Sequence, residues 1–93
     1  MKKNVIRRHY RFRGEVQGVG FRWYASNAAQ AAGTTGWVRN EYDGSVTLEL
    51  QGSEPQIEAA LELLKKNRWA EIRTAQATDI EPDEEERTFR VIL

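Results

Sequence analysis

The sequence of 93 residues contains no cysteine, which excludes disulfides, thiolate nucleophiles and zinc sites built on cysteine. It contains one histidine, His9, so catalysis by a nucleophile and a histidine would depend on that residue alone. The sequence has no paired histidines and no D-x-D pattern of the kind that binds metals. We therefore expect neither a metal nor another cofactor.

Net charge and long apolar runs are also missing. Fourteen basic and fourteen acidic residues cancel, so no net field draws the chain to nucleic acid or to a membrane surface. No apolar run approaches the length of a transmembrane helix, and the basic N-terminus leads into no apolar stretch typical of a signal peptide. We expect a cytoplasmic monomer with no nucleic-acid or membrane partner, folded as a single domain over residues 1–93.

Residues 6–16 alternate between apolar and polar side chains, which predicts a strand with one buried face. The apolar positions are Ile6, Tyr10, Phe12 and Val16, and the polar positions are Arg7, His9, Arg11 and Arg13. From Phe21 the apolar spacing becomes helical, and Gly33 is placed to end that helix.

The rest of the chain predicts four further strands and a second helix. The strands are expected at 35–41, 45–51, 71–80 and 88–93, with a turn at Asp43-Gly44 between the first two of these. Ser53 and Gln56 have the spacing of a capping box at the start of the second helix, and Asn67 is expected to end it. The charged run 83–87 is expected to be a solvated turn.

This order predicts a split βαβ sandwich, α+β in class, with an antiparallel sheet and two helices on one face. We expect the first four strands in the order 4-1-3-2 with the last strand at an edge. The other face of the sheet is expected to be open to water, in keeping with its polar side chains.

The segment from Gly14 to Arg22 joins the first strand to the first helix. Gly18 and Gly20 allow a sharp bend that brings successive N–H groups together, and Arg22 follows in the first helical turn. Backbone donors, a helix N-terminus and a guanidinium together predict a site for an anion, and we expect that anion to be phosphate. Taken alone, however, such glycines more often form a simple turn.

Several segments together resemble one family. They are Gly14-x-Val16-Gln17-Gly18-Val19-Gly20-Phe21-Arg22, Gly36-Trp37-Val38-x-Asn40, Asp43-Gly44-x-Val46 and Gly52. Over nearly the whole chain this pattern is similar to that of the acylphosphatases. The resemblance implies a ferredoxin-like fold and hydrolysis of the carboxyl–phosphate bond of acyl phosphates to a carboxylate and inorganic phosphate.

The resemblance also implies roles for particular residues. The catalytic residues would be Arg22 and Asn40. The phosphate-binding residues would be Gln17, Gly18, Val19, Gly20, Phe21 and Arg22. An acyl phosphate is already activated, and its carboxylate leaves without being protonated, so the protein needs only to hold the phosphoryl group and orient water. Asn40 would orient that water through its amide.

The chain departs from the family pattern away from these positions. Thr34 stands where an apolar residue is usual, the connection 67–70 lacks the usual Gly-Pro-like turn, and the sequence ends at Leu93 without the aromatic residue that the family usually has near that point. Two other functions remain open on the same fold, a non-catalytic phosphate or acyl-phosphate sensor and an RNA-binding module that would use the basic positions of the first strand. The physiological acyl phosphate is not indicated.

Overall fold

The computed structural model describes residues 4–18, 20–66 and 70–93, which form a sheet of five strands and two helices. In chain order the elements are β1 (Ile6–Glu15), α1 (Phe21–Ala32), β2 (Thr35–Asn40), β3 (Val46–Gly52), α2 (Glu54–Lys65), β4 (Glu71–Ile80) and β5 (Phe89–Ile92). In the described part of the chain, no helix is long and apolar enough to cross a membrane.

The core lies between the two helices and one face of the sheet. Apolar side chains at alternate positions of β1, β2 and β3 are buried against the apolar stripes of both helices. The stripe of α1 is largely alanine (Ala25, Ala28 and Ala29), and small side chains let a helix approach the sheet closely. The predicted α+β sandwich of the ferredoxin-like type is therefore confirmed.

The strand order is β4-β1-β3-β2-β5, as predicted, but the sheet is mixed. The pairs β1–β3, β1–β4 and β2–β3 are antiparallel, whereas β5 is parallel to β2. The expectation of a wholly antiparallel sheet was wrong at this edge. A short connection reverses the chain after β4, and β2 runs opposite to β4, so β5 must run in the direction of β2.

Local signals set the helix ends as expected. Gly20 and Gly33 flank α1 in the left-handed conformation, with φ of 75° and 80°. Thr34 is buried just after α1, and its hydroxyl donates to the carbonyl of Ala29 at 3.1 Å, so the unusual polar residue is satisfied. The capping box of Ser53 and Gln56 is present at the start of α2. The predicted end of α2 at Asn67 lies outside the described residues.

The second face of the sheet is not open to water, which corrects the prediction. Arg7, Thr47, Glu49 and Gln51 are buried there. The segment after β4 crosses this face, where Glu86 binds Arg7 and the backbone of Asp83 binds the side chain of Gln51. The charged run 83–87 is therefore not simply a solvated turn, because the Glu86 side chain is only 5% exposed.

Candidate active site

A cleft of about 320 Å³ opens where β1 passes into α1 and where β2 ends. Its lining consists of Val16, Gly18, Gly20, Phe21, Arg22, Trp23, Asn40, Val91 and Leu93. The fold thus brings Asn40, from the second strand, to the glycine loop and Arg22. Among the predicted site residues, Gln17 lies outside this lining, and Val19 lies outside the described residues.

The N-terminus of α1 forms one wall of the cleft. The helix begins after Gly20, has no side-chain cap, and has no acidic residue in its first turn. Because the first N–H groups of a helix have no partner within it, those of Phe21, Arg22 and Trp23 are left for another acceptor. The helix dipole adds partial positive charge at the same point, so this end of α1 is suited to an anion.

Gln17 attaches the glycine loop to the turn that follows β2. Its side-chain Nε2 donates to the carbonyl of Glu41 at 2.7 Å and to the carbonyl of Ser45 at 2.9 Å. These two bonds tie the loop to the residues on either side of the turn, directly after Asn40. The side chain of Gln17 therefore positions the loop relative to Asn40.

The turn itself is fixed by Asp43. Its Oδ1 accepts from the backbone N–H and the hydroxyl of Ser45, at 3.0 and 2.6 Å, and its Oδ2 accepts from Arg13 at 3.0 Å. The bonds from Ser45, together with Arg13, hold the pKa of Asp43 well below its ordinary value. The ionised carboxylate thus belongs to the folded hairpin that carries Asn40.

Arg22 and Asn40 are the polar side chains of the cleft. Within the described residues Arg22 forms no ion pair, whereas Arg7, Arg13 and Arg39 each bind a carboxylate. The Oδ1 atom of Asn40 is buried and has no hydrogen-bond partner in this part of the chain. Among the described residues, therefore, a guanidinium with no carboxylate partner and the side-chain amide of Asn40 line one cleft, and these groups suit an anion and a water molecule.

Apart from Phe21, sequence reasoning did not assign the apolar residues of the lining to the site, above all Trp23 and Val91. Trp23 follows Arg22 in α1 and is 64% exposed, so the outward-facing position of a large aromatic residue was the available signal. Val91 reaches the cleft only because β5 pairs with β2, a contact that no local pattern indicates. In the residues that the structure describes, no group of three or more metal-ligating side chains occurs.

Comparisons with family models, with curated proteins and with solved structures all identify the same family. The family model for acylphosphatase matches residues 8–91. The acylphosphatase of Bifidobacterium longum (strain NCC 2705) is 43% identical over 90 residues, covering 95% of this chain and 93% of that protein. The crystal structure of acylphosphatase from Bacillus subtilis superposes with a TM-score of 0.87 at 26% identity, covering 95% of this chain and 99% of that one.

A much larger protein contains a similar unit. The crystal structure of full-length HypF, in a phosphate- and nucleotide-bound form, matches with a TM-score of 0.85 and 31% identity. The match covers 95% of this chain but only 12% of that one. The same fold therefore occurs both as small proteins and as one part of a larger chain.

Proposed function

The chain belongs to the acylphosphatase family and hydrolyses acyl phosphates to a carboxylate and inorganic phosphate, and we propose that Arg22, the glycine loop and Asn40 carry out this reaction. The observation that carries the proposal is that Asn40 and Arg22, which forms no ion pair among the described residues, line one cleft at the N-terminus of α1. Catalysis would need no cofactor.

The phosphoryl group is held by Arg22 and by backbone N–H groups of the loop and the first turn of α1. The proposed loop is Gln17, Gly18, Val19, Gly20 and Phe21. Phosphoryl transfer passes through a loose transition state with negative charge spread over the equatorial oxygens. Fixed donors around those oxygens stabilise that charge without having to reorganise during the reaction.

Asn40 orients the attacking water. Its side-chain amide, which can both donate and accept hydrogen bonds, holds the water, and the position of Asn40 at the end of β2 fixes the direction of attack. The oxygen of water forms a bond to phosphorus as the bond from phosphorus to the carboxylate oxygen breaks. The leaving carboxylate is a weak base, so it departs without a general acid, and the proton lost by water passes to solvent or to phosphate.

Replacement of Arg22 by alanine tests the phosphate-binding role. Hydrolysis of benzoyl phosphate, followed by ultraviolet absorbance in the presence of a chelator, should fall by at least about a hundredfold, which is typical when a preorganised donor is lost. Arg90→Ala is the matched control, because Arg90 is exposed on β5, outside the cleft. Near-normal turnover by Arg22→Ala would refute the assignment, and loss of wild-type turnover with the chelator would refute independence from metal.

Replacement of Asn40 by alanine separates binding from catalysis. We expect Asn40→Ala to keep the affinity for inorganic phosphate, measured by calorimetry or as competitive inhibition, while kcat is lost. Loss of both properties together would mean that Asn40 has a structural role. A folded wild type that binds phosphate without turning over any acyl phosphate would instead be a sensor.

We further propose that the protein acts as a cytoplasmic monomer with no nucleic-acid partner. The basic positions of β1 support the absence of a nucleic-acid partner, because Arg7 and His9 contact Glu49, and Arg13 contacts Asp43. Pairing with carboxylates lowers their attraction for a phosphate backbone. A shift of labelled single-stranded RNA at low salt, or a dimer mass in light scattering, would contradict the proposal.

A further inference from the structure

We propose that Trp23, together with Val91, forms the surface that binds the acyl group, and that the site selects acyl phosphates with an apolar and especially an aromatic acyl group. The inference rests on the proposed function and goes beyond it by naming the substrate class. It makes Trp23 a specificity-determining residue, with no part in the chemistry at phosphorus.

The lining of the cleft divides into two parts. Gly18, Gly20, Arg22 and Asn40 form the part proposed for the phosphoryl group and water. Every other residue of the lining is apolar: Val16, Phe21, Trp23, Val91 and Leu93. Val16 and Phe21 are buried, so the apolar side chains exposed to an incoming group are those of Trp23, Val91 and Leu93.

The orientation of Trp23 is held by its neighbour. The ring of Tyr24 packs edge-on against the indole, with ring centroids 5.1 Å apart and an interplanar angle of 88°. Tyr24 also lies beside the glycine loop, since a Cβ atom on Gly20 would be 3.7 Å from its ring. The indole is thus an exposed aromatic surface whose contact with Tyr24 restricts its movement beside the loop, and such a restriction lowers the entropic cost of binding.

The geometry of in-line displacement places the acyl group away from Asn40. Water and leaving group lie on opposite sides of phosphorus, and Asn40 at the end of β2 would hold the water. The acyl group then projects from the side of the cleft that α1 forms. Trp23, in the first turn of that helix, is the large apolar side chain there.

A second depression borders Asn40, on the side proposed for the water, and its lining is more polar than the Trp23 side of the cleft. It is lined by Arg39, Asn40, Glu41, Tyr42 and Leu93. Arg39 is engaged by Glu41 at 3.0 Å and by the ring of Trp37 at 5.0 Å. The hydroxyl of Thr47, with Arg39, keeps the pKa of Glu41 low, so an anionic acyl group here would face a carboxylate and an already paired cation.

The test compares benzoyl phosphate and acetyl phosphate as substrates of wild type, Trp23→Ala, Trp23→Phe and Tyr42→Ala. Trp23→Ala should lower kcat/KM for benzoyl phosphate by about threefold to tenfold, the range of one aromatic contact, through a higher KM at unchanged kcat. Acetyl phosphate should change by less than about twofold, because a methyl group reaches little of the indole. Trp23→Phe should restore most of the preference.

Tyr42→Ala is the matched control, since Tyr42 is a fully exposed aromatic residue of the second depression. Its selectivity should equal that of the wild type. Equal losses on both substrates in Trp23→Ala, or a loss of selectivity in Tyr42→Ala instead, would overturn the inference. Absence of wild-type turnover on both substrates would overturn the proposed function itself, and with it this inference, so the two failures are distinguishable.

Discussion

Removal of the Arg7 guanidinium should destabilise this fold more than removal of any exposed arginine. The Arg7 side chain is 5% exposed and donates from Nε to Glu49 at 2.8 Å and from Nη1 to Glu86 at 2.8 Å and Gln51 at 3.0 Å. Nη2 donates to the second oxygen of Glu86 at 3.2 Å. One cation therefore neutralises two carboxylates that the second face of the sheet keeps from water.

The magnitude follows from what Arg7→Ala leaves behind. Two nearly buried carboxylates would lose their cation, and breaking a buried pair in this way costs about 3–5 kcal/mol. A domain of this size has a free energy of unfolding of about 5–15 kcal/mol, so the variant would lose a large part of it. The corresponding decrease in Tm is on the order of 12–40 °C.

Urea denaturation of Arg7→Ala beside Arg13→Ala measures the effect. Arg13 pairs with Asp43 at the surface, where water screens the interaction, so its removal should cost much less. Glu86→Gln should be destabilising alone but add little to Arg7→Ala, because the two side chains form one network. Equal midpoints for Arg7→Ala and Arg13→Ala would refute the reasoning.

Two further predictions concern the hairpin and the sheet. Gly36→Ala should abolish folding, because its Cβ atom would lie 1.8 Å from the carbonyl oxygen of Glu49 in the adjacent strand. Gly18→Ala is the control and should fold, because a Cβ atom there meets open space. Circular dichroism measures both, and a cooperative thermal transition in Gly36→Ala would contradict the prediction. Asp43 has a lowered pKa, so its contribution to stability is complete above its ordinary value of 3.8 and is lost as the pH falls through the lower, folded-state value. The stability difference between wild type and Asp43→Asn should therefore shrink from pH 7 to pH 3, and a constant difference would count against this account.

The helices and strands of this fold could be predicted from the sequence because the patterns that indicate them are local. The alternation along β1, the alanine stripe of α1 and the capping box of Ser53 each involve residues close in sequence, and each predicted element is present. The glycine loop and Arg22 were also evident, since the loop, the helix start and the arginine follow one another directly. Their roles, and that of Asn40, stay predictions that the variants above test.

The sequence by itself determined the elements, the order of the first four strands and the position of the glycine loop, because periodicity and turn chemistry act over a few residues. Only the tertiary structure decided that β5 is parallel to β2, that Arg7 is buried beneath a segment 79 residues further along, and that Trp23 and Val91 line the same cleft as Asn40. These features depend on contacts between distant segments. Such contacts form only when the sheet has assembled. The assembled sheet therefore determines whether a charged or aromatic side chain is exposed to water or packed against another residue.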